Sequence, residues 1–293
     1  MTLGELEQRG AGLVVADKPA GMTSHDVVAR VRRVAGTRKV GHAGTLDPMA
    51  TGVLVIGLDR ATRMLGHLTL TEKSYEATVR LGAATTTDDA EGEVVSTTPT
   101  ADVTEDDVRA ALHGFEGAIM QVPSTVSAIK IGGKRAYALA RSGEQVELAP
   151  RPVTVHALEA DEFRREGDFL DLRLRIRCSS GTYIRAVARD LGAALGVGGH
   201  LTALRRTAVG PFTLEGASAD LEHLRVIPIA EAARAAFPSV DLSEELAEDV
   251  RYGRKLALEL GGEGPHAVFA PGGEFLALYE QDGDLARAVA VFV

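Results

Sequence analysis

The sequence predicts an α+β fold, with a mainly antiparallel sheet flanked by helices and a small β-rich C-terminal domain. Three observations carry this. Strand-like runs at 153–163 and 169–178 flank Glu166, Gly167 and Asp168, a hairpin turn in composition. Residues 73–81 (KSYEATVRL) alternate, with Tyr75, Ala77 and Val79 on one face and Ser74, Glu76, Thr78 and Arg80 on the other. Helical spacing is interleaved with these strands, as at Val27, Val28, Val31 and Val34.

In chain order, GLVVA at 12–16 reads as a short buried strand and DKPAG at 17–21 as a turn, punctuated by Pro19 and Gly21. Thr23 or Ser24 caps a helix over 25–34, with arginines opposite its valines. Residues 36–52 form a loop with four glycines and one proline. VLVIG at 53–57 is a second buried strand, and 61–68 a helix. After the 73–81 strand, a polar loop leads to a capped helix at about 104–113. A helix is expected near 135–141. Following the hairpin, Thr182 can cap a helix over 183–195 that turns Ile184, Val187, Ala188 and Leu191 inward, and 201–209 is strand-like. A boundary at Phe237 and Pro238 divides residues 1–237 from 238–293. The second part holds a helix at 243–252 and β runs at 267–270, 275–279 and 286–293, and its size is at the low end of what folds alone.

Composition bounds the function. The 293 residues, 45% of them apolar, suffice for a sizeable core. No apolar run reaches the length of a membrane span. Residues 1–10 carry Glu5 and Glu7 and lack a signal core, so a cytoplasmic location is expected. The lone Cys178 excludes an internal disulfide and any multi-cysteine metal site. A net charge of −9 argues by itself against nucleic acid. Its distribution points the other way. Residues 28–41 hold Arg30, Arg32, Arg33, Arg38 and Lys39 without an acid, and 123–141 hold Lys130, Lys134, Arg135 and Arg141 without an acid. Arg205 and Arg206 add a third basic point, while acid gathers in 88–107. An acidic protein can still present one positive face to phosphate, although each cluster alone reads more simply as a solvated face.

The chemistry centres on GHAGTLDPMATG at 41–52. Asp47 lies among glycines that allow close approach, and Pro48 restricts it to extended geometry. A carboxylate so held can act as nucleophile or general base; an Asp-Pro turn dipeptide is the plainer alternative. The loop is not a phosphate loop, since His42 and Ala43 stand where Lys and Ser or Thr belong.

This motif closely resembles the catalytic loop of the TruB family of bacterial tRNA pseudouridine-55 synthases. DKPAGMTSHD at 17–26, KSYEATVRLGAATTTDDAEGEV at 73–94, VPSTVSAIKIGGKRAYALARSG at 122–143, CSSGTYIRAVARDLG at 178–192 and HLTALRRTAVGPF at 200–212 resemble further family blocks, in family order. The resemblance covers about residues 12–230. It implies a pseudouridine-synthase-like fold with an RNA-facing segment at about 122–150 and a C-terminal PUA-like RNA-binding domain. It also implies an isomerase that detaches uracil from the ribose of uridine 55, rotates it and rejoins it through C5, with no cofactor and no metal.

By the same resemblance Asp47 is the essential carboxylate. Tyr75 stacks on the target base, Arg185 pairs with Asp47, Tyr183 packs in the same pocket and Leu204 supplies an apolar wall. His42 helps extrude the nucleotide, and Lys18 with Pro19 shapes the pocket. Arg30, Arg33, Arg38, Lys39, Lys130, Lys134, Arg135 and Arg141 would hold phosphates of the tRNA T stem-loop. Ala43, Thr45 and the Ser179–Ser180 pair depart from the commonest family pattern without touching an implied catalytic group. The ending at Val293 without a basic tail favours stand-alone action, with no obligatory protein partner, over a guide-RNA-dependent relative; a monomer with no membrane association is expected. A tRNA-binding protein without catalysis is the other alternative, and a glycosidase would need a second placed acid.

Overall fold

A computed structural model describes residues 11–124, 130–131, 134–135 and 148–293. Strand β1 (Gly12–Lys18) runs two residues beyond the expected GLVVA, because its pairing with β3 (Thr51–Leu58) continues to Lys18 opposite Gly52. Helix α1 (Ser24–Ala35) starts at a capping box, with Thr23 and Asp26 bonding each other's backbone, and ends at Gly36 with φ 65°. Within the expected 36–52 loop lies a short strand, β2 (Val40–His42), paired antiparallel with β3. The expected helix over 61–68 is instead a 3-10 segment, Asp59–Met64, followed by α2 (Leu65–Thr69). The tighter winding eclipses residues three apart. Arg60 and Arg63 thereby both reach the C-terminal strand, donating to the carbonyls of Phe292 and Val291 at 2.6 Å each.

Next come β4 (Lys73–Leu81), the short pair β5 (Ala83–Thr85) and β6 (Val94–Thr97), α3 (Glu105–Leu112) capped by Thr104, and β7 (Gly117–Gln121). A small hairpin joins β8 (Lys130–Ile131) to β9 (Lys134–Arg135). Arg135 is thus in a strand, and the rest of the helix expected at 135–141 lies outside the described residues. β10 (Arg151–Glu166) and β11 (Phe169–Cys178) form the expected hairpin. Then follow α4 (Ile184–Ala194), β12 (Gly199–Val209), β13 (Phe212–Thr213), β14 (Val226–Pro228) and α5 (Ile229–Ala236). The C-terminal part holds β15 (Ser239–Asp241), α6 (Glu244–Arg251), β16 (His266–Phe269), β17 (Phe275–Asp282) and β18 (Leu285–Val291).

The chain divides into two compact units. One comprises Met1–Pro48, Gly52–Thr71 and Ala208–Val293. Its strands run β14-β1-β3, with β2 also on β3, and β15-β16-β17-β18 form a second sheet. Leu13, Val53 and Met64 share a buried cluster with Phe269, Phe275 and Phe292, so the C-terminal sheet packs into the same core as β1 and β3. The other unit comprises Met49–Thr51 and Glu72–Thr207, with strands in the order β12-β4-β11-β10-β7. Alternation fixes its register: Leu81 to Lys73 on β4 lie opposite Leu170 to Cys178 on β11, with every second residue buried. Each fully buried Val or Leu there contributes about 1.5–3 kcal/mol. Helix α4 comes so close to the turn before β12 that a Cβ on Gly192 would sit 2.1 Å from the Gly198 carbonyl carbon. Among the described residues no helix is long and apolar enough to cross a membrane.

Candidate active site

In the first unit, the chain around Asp47 is anchored on both sides. Ser24, buried at the start of α1, accepts from the Leu46 amide at 2.9 Å and donates to the Leu46 carbonyl at 3.1 Å. On the other side, the Pro48 carbonyl accepts from the Gly21 amide at 2.9 Å and from the Lys18 ammonium at 3.2 Å. Lys18 is fully buried, and its ammonium also donates to the Pro19 carbonyl at 2.9 Å. A buried ammonium is tolerated only with such acceptors. Asp47, half-buried, is therefore a carboxylate on a backbone with little freedom. Gly44 turns the loop at φ 91°, a conformation that favours glycine. Ala43 is buried, with its amide on the Val55 carbonyl at 2.9 Å. His42 ends β2, half-buried, with its ring edge-on to His25 at 5.6 Å between centroids.

In the second unit, Tyr75 lies on the buried face of β4 and Leu204 on the adjacent β12, also buried. Tyr183 occupies the N-cap of α4, and Arg185 follows in the first turn, 4% exposed. Thr182 does not cap that helix; its hydroxyl donates to the Ser179 carbonyl at 3.0 Å. Arg185 donates to the Asp89 carboxylate at 3.1 Å and to the Thr87 carbonyl at 3.1 Å. Asp89 also accepts from the Thr87 hydroxyl at 2.5 Å and the Glu91 amide at 3.1 Å. Both members of the pair are buried, so removal of either partner costs about 3–5 kcal/mol. One turn on, Arg189 donates to Asp88 at 3.2 Å and to the Val122 carbonyl at 2.8 Å. Burial pushes the Asp88 carboxyl up, against the lowering effect of its hydrogen bonds and of Arg189 and Arg185.

Sequence reasoning missed Asp89, Asp88, Ser24 and Gln121. The two aspartates stood in an acidic stretch that reads as solvated. The available signal was local: Asp89 with Glu91 two residues on makes an Asx turn, and a Cβ on Gly92 would strike the Thr87 hydroxyl at 2.4 Å. Arg206 corrects the third basic point, being 1% exposed and no part of a solvent-facing patch. Arg33, Arg38 and Lys39 are exposed, while Arg30 forms a surface ion pair with Glu222. Lys130, Lys134 and Arg135 fall in the β8–β9 hairpin, and Arg141 lies outside the described residues.

Three family models match the chain in succession. They are a TruB family pseudouridylate synthase N-terminal domain over residues 32–184, a tRNA pseudouridylate synthase B C-terminal domain over 185–235, and a tRNA pseudouridine synthase II C-terminal domain over 237–293. A protein of Arthrobacter sp. named tRNA pseudouridine synthase B is 55% identical, over 96% of each chain. Proteins of the same name from Thermobifida fusca and Nocardia farcinica are 57% and 58% identical, over 96% of this chain and 98% and 92% of theirs. Among solved structures, a chain of an H/ACA RNP bound to a substrate RNA containing 2′-deoxyuridine is similar at TM-score 0.72 and 25% identity, over 100% of this chain and 88% of that one. A chain of the archaeal box H/ACA sRNP Nop10-Cbf5 complex is similar at TM-score 0.68 and 27% identity, over 96% and 85%.

Proposed function

The chain belongs to the TruB family of pseudouridine synthases, and from that premise we propose that it isomerises uridine 55 in the T-loop of tRNA, acting alone, with Asp47 as the essential carboxylate. The doubly anchored Leu46–Asp47–Pro48 turn carries the reading. Breaking the C1′–N1 bond leaves an electron-deficient ribose and an anionic uracil. A carboxylate held beside the sugar can add to C1′, or stabilise the charge while a C2′ proton leaves; addition to C6 of the base is a third route. All three need the carboxylate ionised and aimed before the substrate arrives, since preorganised charge requires no rearrangement during reaction.

The other residues take the remaining roles in this reading. Arg185 is the cation for the Asp47 carboxylate, and its pairing with Asp89 preorganises its guanidinium. Tyr75, Tyr183 and Leu204 form the platform and wall for a base taken out of its stack. His42 assists that extrusion, and Lys18 shapes the pocket through the Pro48 carbonyl. The exposed Arg33, Arg38 and Lys39, with Arg30, Lys130, Lys134, Arg135 and Arg141, take the phosphates. Residues 238–293 serve as a PUA-like RNA-binding domain, and the enzyme works as a cytoplasmic monomer.

The test is to incubate the purified chain with an unmodified tRNA transcript and map pseudouridine. Formation at position 55 without added RNA or protein is expected, and the Asp47→Asn variant should bind tRNA and form none. Turnover by that variant at a substantial rate would exclude Asp47. The likeness to H/ACA chains favours one second reading, guide-RNA-dependent action, and a requirement for an added guide RNA in the same assay would establish it.

A further inference from the structure

We propose that Gln121 is a positioning residue for the reaction, holding Tyr183 and the first turn of α4 in register through its carboxamide. This rests on the proposed role of Tyr183 and Arg185 in the active site. Helix α4 begins without a side-chain cap: Tyr183, at the N-cap, supplies none. Four backbone amides at a helix start lack partners within the helix, and a start that bears working side chains needs another means of fixation. Gln121 supplies it from a different strand. Its Oε1 accepts from the Tyr183 amide at 2.8 Å, and its Nε2 donates to the Tyr183 carbonyl at 3.1 Å. The same carbonyl accepts the first helical bond, from the Val187 amide at 3.2 Å. One carboxamide thus pairs with both polar groups of a single peptide backbone position, as a neighbouring β-strand would.

The geometry is rigid at both ends. Gln121 is 3% exposed and is the last residue of β7, pinned opposite Arg151 of β10. Immediately beyond it, the Val122 carbonyl accepts from Arg189, one turn along α4 from Arg185. Two successive residues of the β7 end therefore hold two successive turns of α4. A carboxamide is the side chain suited to the first contact, because it presents a donor and an acceptor side by side. Methionine matches its length without either bond. Glutamate matches it only when protonated, when the acid hydroxyl can donate to the Tyr183 carbonyl; ionised, it sets a negative charge against that carbonyl.

The test compares the full-length parent with Gln121→Met, Gln121→Glu and Tyr183→Ala, reading single-turnover pseudouridine formation, tRNA affinity and thermal melting. For Gln121→Met the rate should fall by about 30-fold or more, as for a small misplacement of reacting groups, with tRNA affinity unchanged. The Gln121→Glu variant should recover activity as pH falls through the pKa of its buried carboxyl, over a range in which the parent does not gain. That pH signature is not expected of a purely structural role, and it remains readable should the Gln121→Met chain fail to fold. A Gln121→Met rate within about twofold of the parent, or a Gln121→Glu profile parallel to the parent's, overturns the proposal. If Tyr183→Ala is fully active, the reading of the site fails as well, and a parent that forms no pseudouridine removes the functional reading and this inference together.

Discussion

Lys73 and Cys178 lie opposite each other across β4 and β11, both buried. Burial, and then the charge of Arg206, push the Lys73 ammonium down from 10.5 to about 8. Burial pushes the Cys178 thiol up from 9.0 to about 11. Their effects on folding have opposite signs. From pH 8 to 10.5 the unfolded chain still holds the Lys73 proton that the folded chain has released, so stability from Lys73 rises with pH. From pH 9 to 11 the unfolded thiol has ionised while the folded one has not, so stability from Cys178 falls. Urea midpoints of the parent and of Lys73→Met, measured across this window, should differ by an amount that moves in the parent's favour from pH 8 upward. A difference constant with pH would refute the depressed ammonium. Burial of this kind is only partly legible in sequence. The alternation of 73–81 places Lys73 on the same face as Tyr75, Ala77 and Val79, yet nothing local says that a lysine at a strand's end is covered. Asp89 is the sharper case: it is buried, and Arg185, which pairs with its carboxylate, lies 96 positions away in the chain.

The α1 helix was legible nearly to the residue, because a capping box and an apolar stripe are local signals. β4, β11 and the hairpin turn were legible because alternation and turn chemistry agree. The β5–β6 pair was not, since Val94 to Thr97 are all exposed and no face alternates; its pairing follows from backbone bonds such as Thr86 to Glu93 that carry no side-chain pattern. What α1 does for the loop around Asp47 was equally silent, as Ser24 reads only as a possible cap. Its hydroxyl instead bridges both backbone groups of Leu46. Ser24→Ala should cost about 1–3 kcal/mol by leaving those buried groups unsatisfied, and Thr23→Ala about 1 kcal/mol by losing the cap. The two differ in function. Loss of the cap leaves the Leu46 anchor in place, whereas loss of Ser24 frees one side of Asp47. At temperatures where both variants are folded, Ser24→Ala should lower the single-turnover rate far more than Thr23→Ala. Equal rates would mean that the Ser24 anchor does not aim the carboxylate.

At the scale of the whole molecule, the net charge of −9 and the proposed RNA substrate pull in opposite directions. The ordered series of motifs made the family legible, because six blocks in sequence order constrain a chain far more than composition does. The charge conflict resolves only through placement. Much of the acid is engaged in pairs within the protein: Asp161 and Glu162 with Arg173, Asp171 and Glu166 with Arg80, and Asp249 with Arg254. Arg33, Arg38 and Lys39, at the end of α1 and just beyond it, are exposed in a stretch without an acid. On the proposed RNA face, short-range attraction outweighs the net charge, because carboxylates more than a Debye length of about 8 Å from the RNA are largely screened at physiological salt. Binding driven by phosphate neutralisation releases counterions, so tRNA affinity should fall steeply as salt rises, despite the acidic total. Replacing Arg38 and Lys39 together by alanine should reduce the slope of log affinity against log salt by roughly 0.7–0.9 for each phosphate no longer neutralised. The same substitutions should leave single-turnover catalysis at saturating tRNA intact, because neither residue is placed at the carboxylate. An unchanged slope would remove these two cations from the RNA face, and a parent whose affinity is indifferent to salt would remove the face itself.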